Sequence, residues 1–103
     1  GPQFPDNDKI APVIKLEDGN IEANNPNMKY NVGDTYTEPG FTANDEIGLN
    51  DSDPLKVSED ITRKVQVTNN VDMSTAGTYY VTYMVSDWAG NYAPIATRTV
   101  TVE

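Results

Sequence analysis

The chain has 103 residues and is acidic, with 16 Asp and Glu side chains against 7 Lys and Arg and a formal net charge of −9. It has no histidine and no cysteine, which excludes disulfides, zinc sites and triad-type nucleophilic catalysis. The negative charge disfavours nucleic acid and anionic membranes, and no apolar run reaches the length of a spanning helix. We therefore predict a protein that is not an enzyme and does not insert into a membrane.

Residues 1–11 (GPQFPDNDKIA) are predicted to be a flexible N-terminal linker, because they combine prolines, Asp and Asn without any hydrophobic period. Gly1 is interpreted as a remnant of tag removal. A single folded domain is predicted over residues 12–103, since a chain of this size fits one core. Its first strand begins at Pro12, where a missing N–H is tolerated, and runs to Leu16.

The next region is predicted to contain a short edge strand and a turn. Met28, Tyr30 and Val32 alternate with polar residues, as side chains on one face of a strand do. The Pro39-Gly40 pair marks a turn or bulge, and a new strand is predicted at 41–43.

Residues 44–60 form the longest stretch without a strand period, and we predict an acidic loop there. Long loops of this kind are usually mobile or functional. The carboxylates that the segment carries are Asp45, Glu46, Asp51, Asp53, Glu59 and Asp60.

Three further strands are predicted in the second half of the chain, at 61–68, 78–86 and 97–102. They are separated by an Asn-Asn turn and by the tight turn 88–91. No segment shows a helical period over 11 residues. Several short strands joined by turns predict an all-β sandwich or barrel.

The sequence Gly77-Thr78-Tyr79-Tyr80-Val81 has the layout of strand F in an immunoglobulin domain. Tyr79 is therefore predicted to be a structural tyrosine corner, with its hydroxyl bonded to backbone upstream. Val81 stands where antibody domains have a half-cystine. Alternation then directs Tyr79, Val81, Tyr83 and Val85 toward the core.

The opposite alternation directs Tyr80 and Met84 outward, with Trp88 just beyond the strand. Exposed as a group, these three would be a binding patch for a sugar or another protein domain. The alternative that we favour is that Trp88 folds over one end of the sandwich and caps the core.

Three carboxylates, Asp45, Asp60 and Asp87, lie at predicted strand ends. If those ends share one pole, the three could bind Ca²⁺, which prefers oxygen ligands, with help from Asn44 or Asn91. The alternative that we favour is that they cap turns through bonds to nearby backbone N–H groups.

Arg98 has the same parity as Val100 and Val102, so it is predicted to point inward near a sheet end. A buried guanidinium requires a carboxylate partner, and Asp87 and Asp45 are the candidates. We interpret this ion pair as structural.

Six pieces of the chain, taken in order, resemble one family of bacterial domains. They are APVIKL, VGDTYTEPGFTAND, DIT with the following Val65, VD with the following AGTY, VSDWAGN and RTVTV. As a set they are similar to the bacterial Ig-like domains of Gram-positive surface proteins and Bacteroidetes lipoproteins, a domain of unknown function. This chain departs from the family pattern by its longer acidic loop at 46–58.

The resemblance implies an immunoglobulin-like β-sandwich of about seven Greek-key strands without a disulfide. It also implies an extracellular or cell-envelope location, in an outer-membrane lipoprotein or another cell-surface protein, with neighbouring domains as partners. No catalytic residues and no cofactor are carried over. Two functions are expected as alternatives: a structural spacer, or a glycan- or protein-binding (adhesion) module that uses the Tyr80, Met84 and Trp88 patch or the acidic segment.

Overall fold

The computed structural model describes residues 9–50 and 52–103, and these build two β-sheets packed face to face. The result confirms the predicted all-β sandwich of seven strands. In chain order the elements are β1 (Val13–Leu16), β2 (Met28–Tyr30), β3 (Phe41–Ile47), β4 (Val57–Asp60), a 3-10 turn (Thr62–Lys64), β5 (Gln66–Asn69), β6 (Gly77–Met84) and β7 (Ala96–Val102).

One sheet has the strand order β1-β3-β4 and the other has the order β2-β7-β6-β5. The chain crosses between the sheets after β1, after β2 and after β4. Strand β2 pairs with β7 in parallel, whereas the other paired strands are antiparallel. Strands β2 and β7 therefore run in the same direction, toward the end of the sandwich that holds Glu103.

The core lies between the inward faces of β6 and β7 and the opposing sheet. Alternate residues of these two strands are buried, and burying each large apolar side chain contributes about 1.5–3 kcal/mol. A second, smaller cluster lies closer to the opposite end. The buried members are Met28, Val81, Tyr83, Val100 and Val102 in the first cluster, and Ala43, Ile61, Val85 and Ala93 in the second.

The acidic segment is a β-hairpin for much of its length, so the prediction of a loop over residues 44–60 is wrong at both ends. Strand β3 continues to Ile47, and β4 pairs with it, placing Asn44 opposite Asp60 and Ile47 opposite Val57. The connection that remains is residues 48–56.

The sequence pattern did not reveal the second half of β3 because a carboxylate occupies one of its inward positions. Asp45 lies between the buried Ala43 and the half-buried Ile47 on the same face of β3. A buried polar residue breaks the apolar alternation from which strands are recognised.

The predicted strand at 61–68 is also shorter than expected, because its first part is the 3-10 turn. Asp60 Oδ1 accepts hydrogen bonds from the Thr62 N–H at 2.9 Å and from Thr62 Oγ1 at 2.6 Å. These bonds turn the chain from one sheet to the other before β5 begins.

The predicted linker falls mostly outside the described residues, which begin at Lys9. The Lys9 N–H donates to the Gly48 carbonyl at 2.8 Å, and Ile10 is buried. Residues 9 and 10 therefore lie against the β3–β4 connection. Within the described part of the chain, no helix has the length and apolarity needed to cross a membrane.

Candidate functional site

The aromatic patch predicted from the sequence lies at the surface. Tyr80 and Met84 project from the outer face of β6 and are 57% and 42% exposed, and Trp88 in the following turn is 44% exposed. Trp88 is thus not buried as a cap over the core.

Tyr80 and Met84 lie at different positions along β6. Met84 lines a hollow of about 200 Å³ at the end of β6, whose walls are Lys64, Gln66, Met84, Val85, Ser86 and Tyr92. Tyr80 is four residues earlier, about 13 Å along the strand. It lies opposite Thr99 on the neighbouring strand β7.

Tyr92 is the member of this surface that the sequence analysis missed. The residue is 68% exposed, and its backbone forms an isolated β-bridge with Ser86 on the other side of the turn. The available signal was an aromatic residue directly after a tight turn. No alternating pattern surrounds Tyr92, so the sequence could not assign it to a face.

Lys64 connects the hollow to Trp88. Its Nζ donates to the Ser86 carbonyl at 2.8 Å and lies 3.8 Å from the centroid of the indole ring. A cation over an aromatic face is stabilising by about 0.5–2 kcal/mol. The ammonium therefore fixes the indole, while the carbon stem of Lys64 lines the hollow.

The rest of the outer face of this sheet is rich in threonine. The pairing of β5, β6 and β7 places threonine side chains of all three strands on the same face as Tyr80. The threonines of this face are Thr68, Thr78, Thr82, Thr97, Thr99 and Thr101.

The connection 48–56 is organised by one carboxylate. Asp53 accepts hydrogen bonds from the Leu55 N–H at 2.9 Å and from the Leu49 N–H at 3.1 Å. These bonds favour the charged form and hold the pKa of Asp53 below its usual value. Asp53 therefore holds the shape of the connection, and Asp51 lies outside the described residues.

The structure does not bring the three predicted calcium ligands together. Among residues 9–50 and 52–103, no group of three or more His, Cys, Asp or Glu side chains is arranged to hold a metal ion. Asp60 accepts hydrogen bonds from Thr62 at the start of the 3-10 turn, and Asp45 is buried on the inward face of β3 opposite Glu59.

Asp87, the third of them, organises the turn that carries Trp88. It is buried, and its Oδ1 accepts from the N–H groups of Ala89 at 2.9 Å and Asn91 at 2.8 Å. Its Oδ2 accepts from Asn91 Nδ2 at 2.9 Å. In this position the carboxylate sets the turn geometry.

Arg98 is fully buried and points inward, but the prediction of Asp87 or Asp45 as its partner is wrong. Its carboxylate partner is Glu38, with Nη2 and Oε2 3.3 Å apart. Glu38 comes from the loop before β3 and was missed because it is 60 residues away in the sequence. Alternation along the strand predicts that Arg98 points inward, but it does not predict which loop supplies the carboxylate partner.

The guanidinium also binds three backbone carbonyls on different segments. Nη1 donates to Glu17 at 2.9 Å and to Pro26 at 2.5 Å, and Nη2 donates to Gly40 at 3.0 Å. Gly40 has a φ of 116°, a conformation that favours glycine and that presents its carbonyl here. Arg98 thus joins β7 to both ends of the crossover between β1 and β2.

Two tyrosines complete this cluster. The Tyr83 hydroxyl accepts from Arg98 Nε at 3.0 Å and donates to Glu38 Oε1 at 2.5 Å. Burial raises the pKa of Tyr83, and burial together with the nearby Tyr83 and Glu38 raises the pKa of Tyr36. Both hydroxyls stay protonated at neutral pH and act as donors toward Glu38.

Tyr79 and Val81 lie at the start of β6. The Tyr79 hydroxyl donates to the Thr75 carbonyl at 2.7 Å, four residues upstream, and Val81 is fully buried. This is the geometry of a tyrosine corner.

A family model described as "Bacterial surface protein, Ig-like domain" matches residues 21–102. Among solved structures, a lipoprotein from Bacteroides thetaiotaomicron is similar, with 27% identity and a TM-score of 0.61 over 88% of this chain. A structure from Clostridium perfringens ZmpB, described as CBM51-2 in complex with GlcNAc and INT domains, has 27% identity and a TM-score of 0.55, also over 88%. The chain spans 37% and 16% of the length of these two proteins. No curated protein gives a significant match.

Proposed function

Because the chain belongs to the family of Ig-like domains of bacterial surface proteins, we propose that it is a non-catalytic spacer module within a longer surface-anchored protein. The spacer would hold its neighbouring domains at a set distance. The observation that carries this proposal is the position of the two ends of the described domain.

Lys9 and Glu103 lie at opposite ends of the sandwich. Lys9 bonds to Gly48 in the β3–β4 connection. Glu103 bonds through its N–H to Tyr30 and through its carbonyl to Val32, beside the start of β6. Strand β7 runs from one end to the other, so at least about 20 Å separates the points where flanking segments join.

The two junctions are also held firmly. At one end Ile10 is buried, and at the other the Lys29 ammonium pairs with the Glu103 carboxylate at 2.9 Å. The ion pair of Lys29 with Glu103 is exposed and contributes little to stability. The backbone hydrogen bonds around it tie the last residue to β2. A spacer with anchored junctions transmits its orientation to its neighbours.

The proposal is tested by measuring the distance between the two junctions. The sequence has no cysteine, so Lys9→Cys and Glu103→Cys can carry spin labels without background. Double electron–electron resonance should give one narrow distance distribution. A broad distribution, like that of a denatured control in urea, would contradict a rigid spacer.

Binding of a glycan is a second candidate function, favoured by the exposed aromatic rings around the hollow. Tyr92 and Trp88 offer apolar faces, and Gln66 offers an amide beside Met84. Aromatic faces with a few polar groups are typical of small-ligand sites. A similar solved structure includes a carbohydrate-binding module with GlcNAc.

This second candidate is tested by glycan-array screening, followed by titration of tryptophan fluorescence, since Trp88 is the sole tryptophan. A binding site in the hollow predicts that Tyr92→Ala abolishes the response. Ile95→Ala, which also shortens an exposed apolar side chain in the same loop, is the matched control. No response to any glycan in wild type would contradict this function and leave the spacer proposal intact.

The location follows from the family in part. The domain is one of bacterial surface proteins, and we infer that its full-length protein is displayed as an outer-membrane lipoprotein or another cell-surface protein. A lipoprotein among the similar structures supports this inference. Surface labelling of intact cells with an antibody to the domain tests it, and labelling only after lysis would contradict it.

A further inference from the structure

We infer that this domain carries tensile force between the segments that flank it, and that Arg98 is the clamp that joins the two sides of the force path. The inference rests on the proposed spacer function. It adds that the domain resists being pulled along its long direction, a property that a spacer does not require.

The first observation is the parallel pairing of β2 with β7. Met28 lies opposite Val100 and Tyr30 opposite Val102, and the pairing continues into the bonds of Glu103 with Tyr30 and Val32. A pull on the two ends of the domain draws β2 toward one end and β7 toward the other. Because their hydrogen bonds lie across this direction, the bonds are loaded together in shear.

The second observation is that force reaches β2 only after passing the Arg98 cluster. The chain leaves β1 at Glu17 and enters β2 after Pro26, and the carbonyls of both residues accept from Nη1 of Arg98. Arg98 is part of β7 itself. A pull on β1 is therefore borne by the pairing of β1 with β3 and, at Glu17, by the guanidinium, which passes it to the strand that leads to the last residue.

The third observation is that the clamp is fixed on its other sides. Glu38, Gly40 and Tyr83 hold the remaining N–H groups of Arg98, and Asn27 accepts from the Thr99 N–H at 3.0 Å through its side chain. A planar guanidinium with several fixed acceptors cannot reorient without breaking several bonds at once. Such a group resists a directional pull better than isolated bonds do.

The test is single-molecule force spectroscopy on the full chain in two pulling directions. In the first, the handles are attached at residues 1 and 103. In the second, they are attached at Ala76→Cys and residue 103, beside the Gly77–Val102 pair at one end of β6 and β7. The second direction opens the β6–β7 bonds one after another.

At one pulling speed, we expect the end-to-end direction to give a rupture force at least about twofold higher, since forced unfolding follows the unfolding barrier along the pulled direction. Equal forces in the two directions, or a lower force end to end, would overturn the inference.

The role of Arg98 is tested with Arg98→Met in the end-to-end direction, where the rupture force should fall to the level of the other direction. Arg63→Met is the matched control, because Arg63 is exposed and donates to Asp60 outside the force path. If Arg98→Met does not fold, Glu38→Gln replaces it and should lower the force by a smaller amount.

A directional force that neither of these two variants lowers would overturn the assignment of the clamp to Arg98. Failure of the spacer proposal is recognised separately. A broad distance distribution between residues 9 and 103 removes the spacer, whereas a narrow distribution with a low end-to-end force removes only the inference about force.

Discussion

Replacing Arg98 by Met should destabilise this fold strongly. Methionine fills a similar volume but donates no hydrogen bond, so the change removes the whole set of contacts to Glu38, Tyr83 and three carbonyls. Gly40 keeps the Glu17 N–H as a donor at 3.0 Å. The carbonyls of Glu17 and Pro26 lose the donor that Arg98 supplied.

The size of the effect follows from these losses. Removing one member of a buried ion pair costs about 3–5 kcal/mol. A buried carbonyl left without its donor costs about 1–3 kcal/mol, and the cost is at the low end here because Glu17 is exposed and Pro26 is half-buried. Glu38 is 31% exposed in its side chain and can regain water, which lowers the first figure. We expect a loss of about 4 kcal/mol in the free energy of unfolding, a large part of the 5–15 kcal/mol typical of a domain.

The assay is urea unfolding at pH 7 followed by the fluorescence of Trp88, comparing midpoints at an unchanged slope. Arg63→Met is the control, since it removes the same charge from an exposed position and should change stability by less than about 0.5 kcal/mol. Arg98→Lys should fall between the two, because an ammonium keeps the charge but not the planar set of donors. A loss below about 1 kcal/mol for Arg98→Met would refute the view that Arg98 holds these segments together.

Two further predictions concern single hydrogen-bonding groups. Tyr79→Phe should lower the free energy of unfolding by about 1 kcal/mol in urea unfolding, because it removes the bond to Thr75 and leaves the ring in place; an unchanged midpoint would contradict a structural role for the hydroxyl. The pKa of Asp53 is lowered in the folded state by N–H bonds from Leu55 and Leu49, so its stabilisation is present above the unfolded pKa of about 3.9 and is lost as pH falls through the lower folded pKa. Wild type should therefore be more stable than Asp53→Asn at pH 7, and the difference should disappear in melts at about pH 2; a difference that does not vary with pH would contradict this linkage.

Much of the fold could be predicted because the face of a strand on which a side chain lies depends only on neighbouring residues in the sequence. The alternation that directed Tyr79, Val81, Tyr83 and Val85 to one face depends only on the two-residue period of a strand. The same period directed Arg98 inward and Tyr80 outward. These assignments need no knowledge of which strand lies next to which.

The errors arose where a partner came from a distant segment. The hairpin of β3 and β4 was missed because Asp45, an inward residue, is polar, and the pairing that defines the strand is not local. Glu38 was missed as the partner of Arg98 because it lies in a loop, where no alternating pattern shows which way a side chain points. Tyr92 was missed for the same reason, although it lines the hollow.

By itself, the sequence determined the class of this protein: an acidic, cysteine-free, all-β domain with a tyrosine-corner strand and the motifs of a bacterial surface family. Composition and short-range period are sufficient for that, since both are properties of neighbouring residues. Only the tertiary structure decided that Arg98 joins β7 to the crossover between β1 and β2, that β2 and β7 run in parallel, and that the domain's ends lie apart. Those features depend on contacts between residues that are separated by 60 to 81 positions in the chain. Such contacts exist only once the sheets have packed.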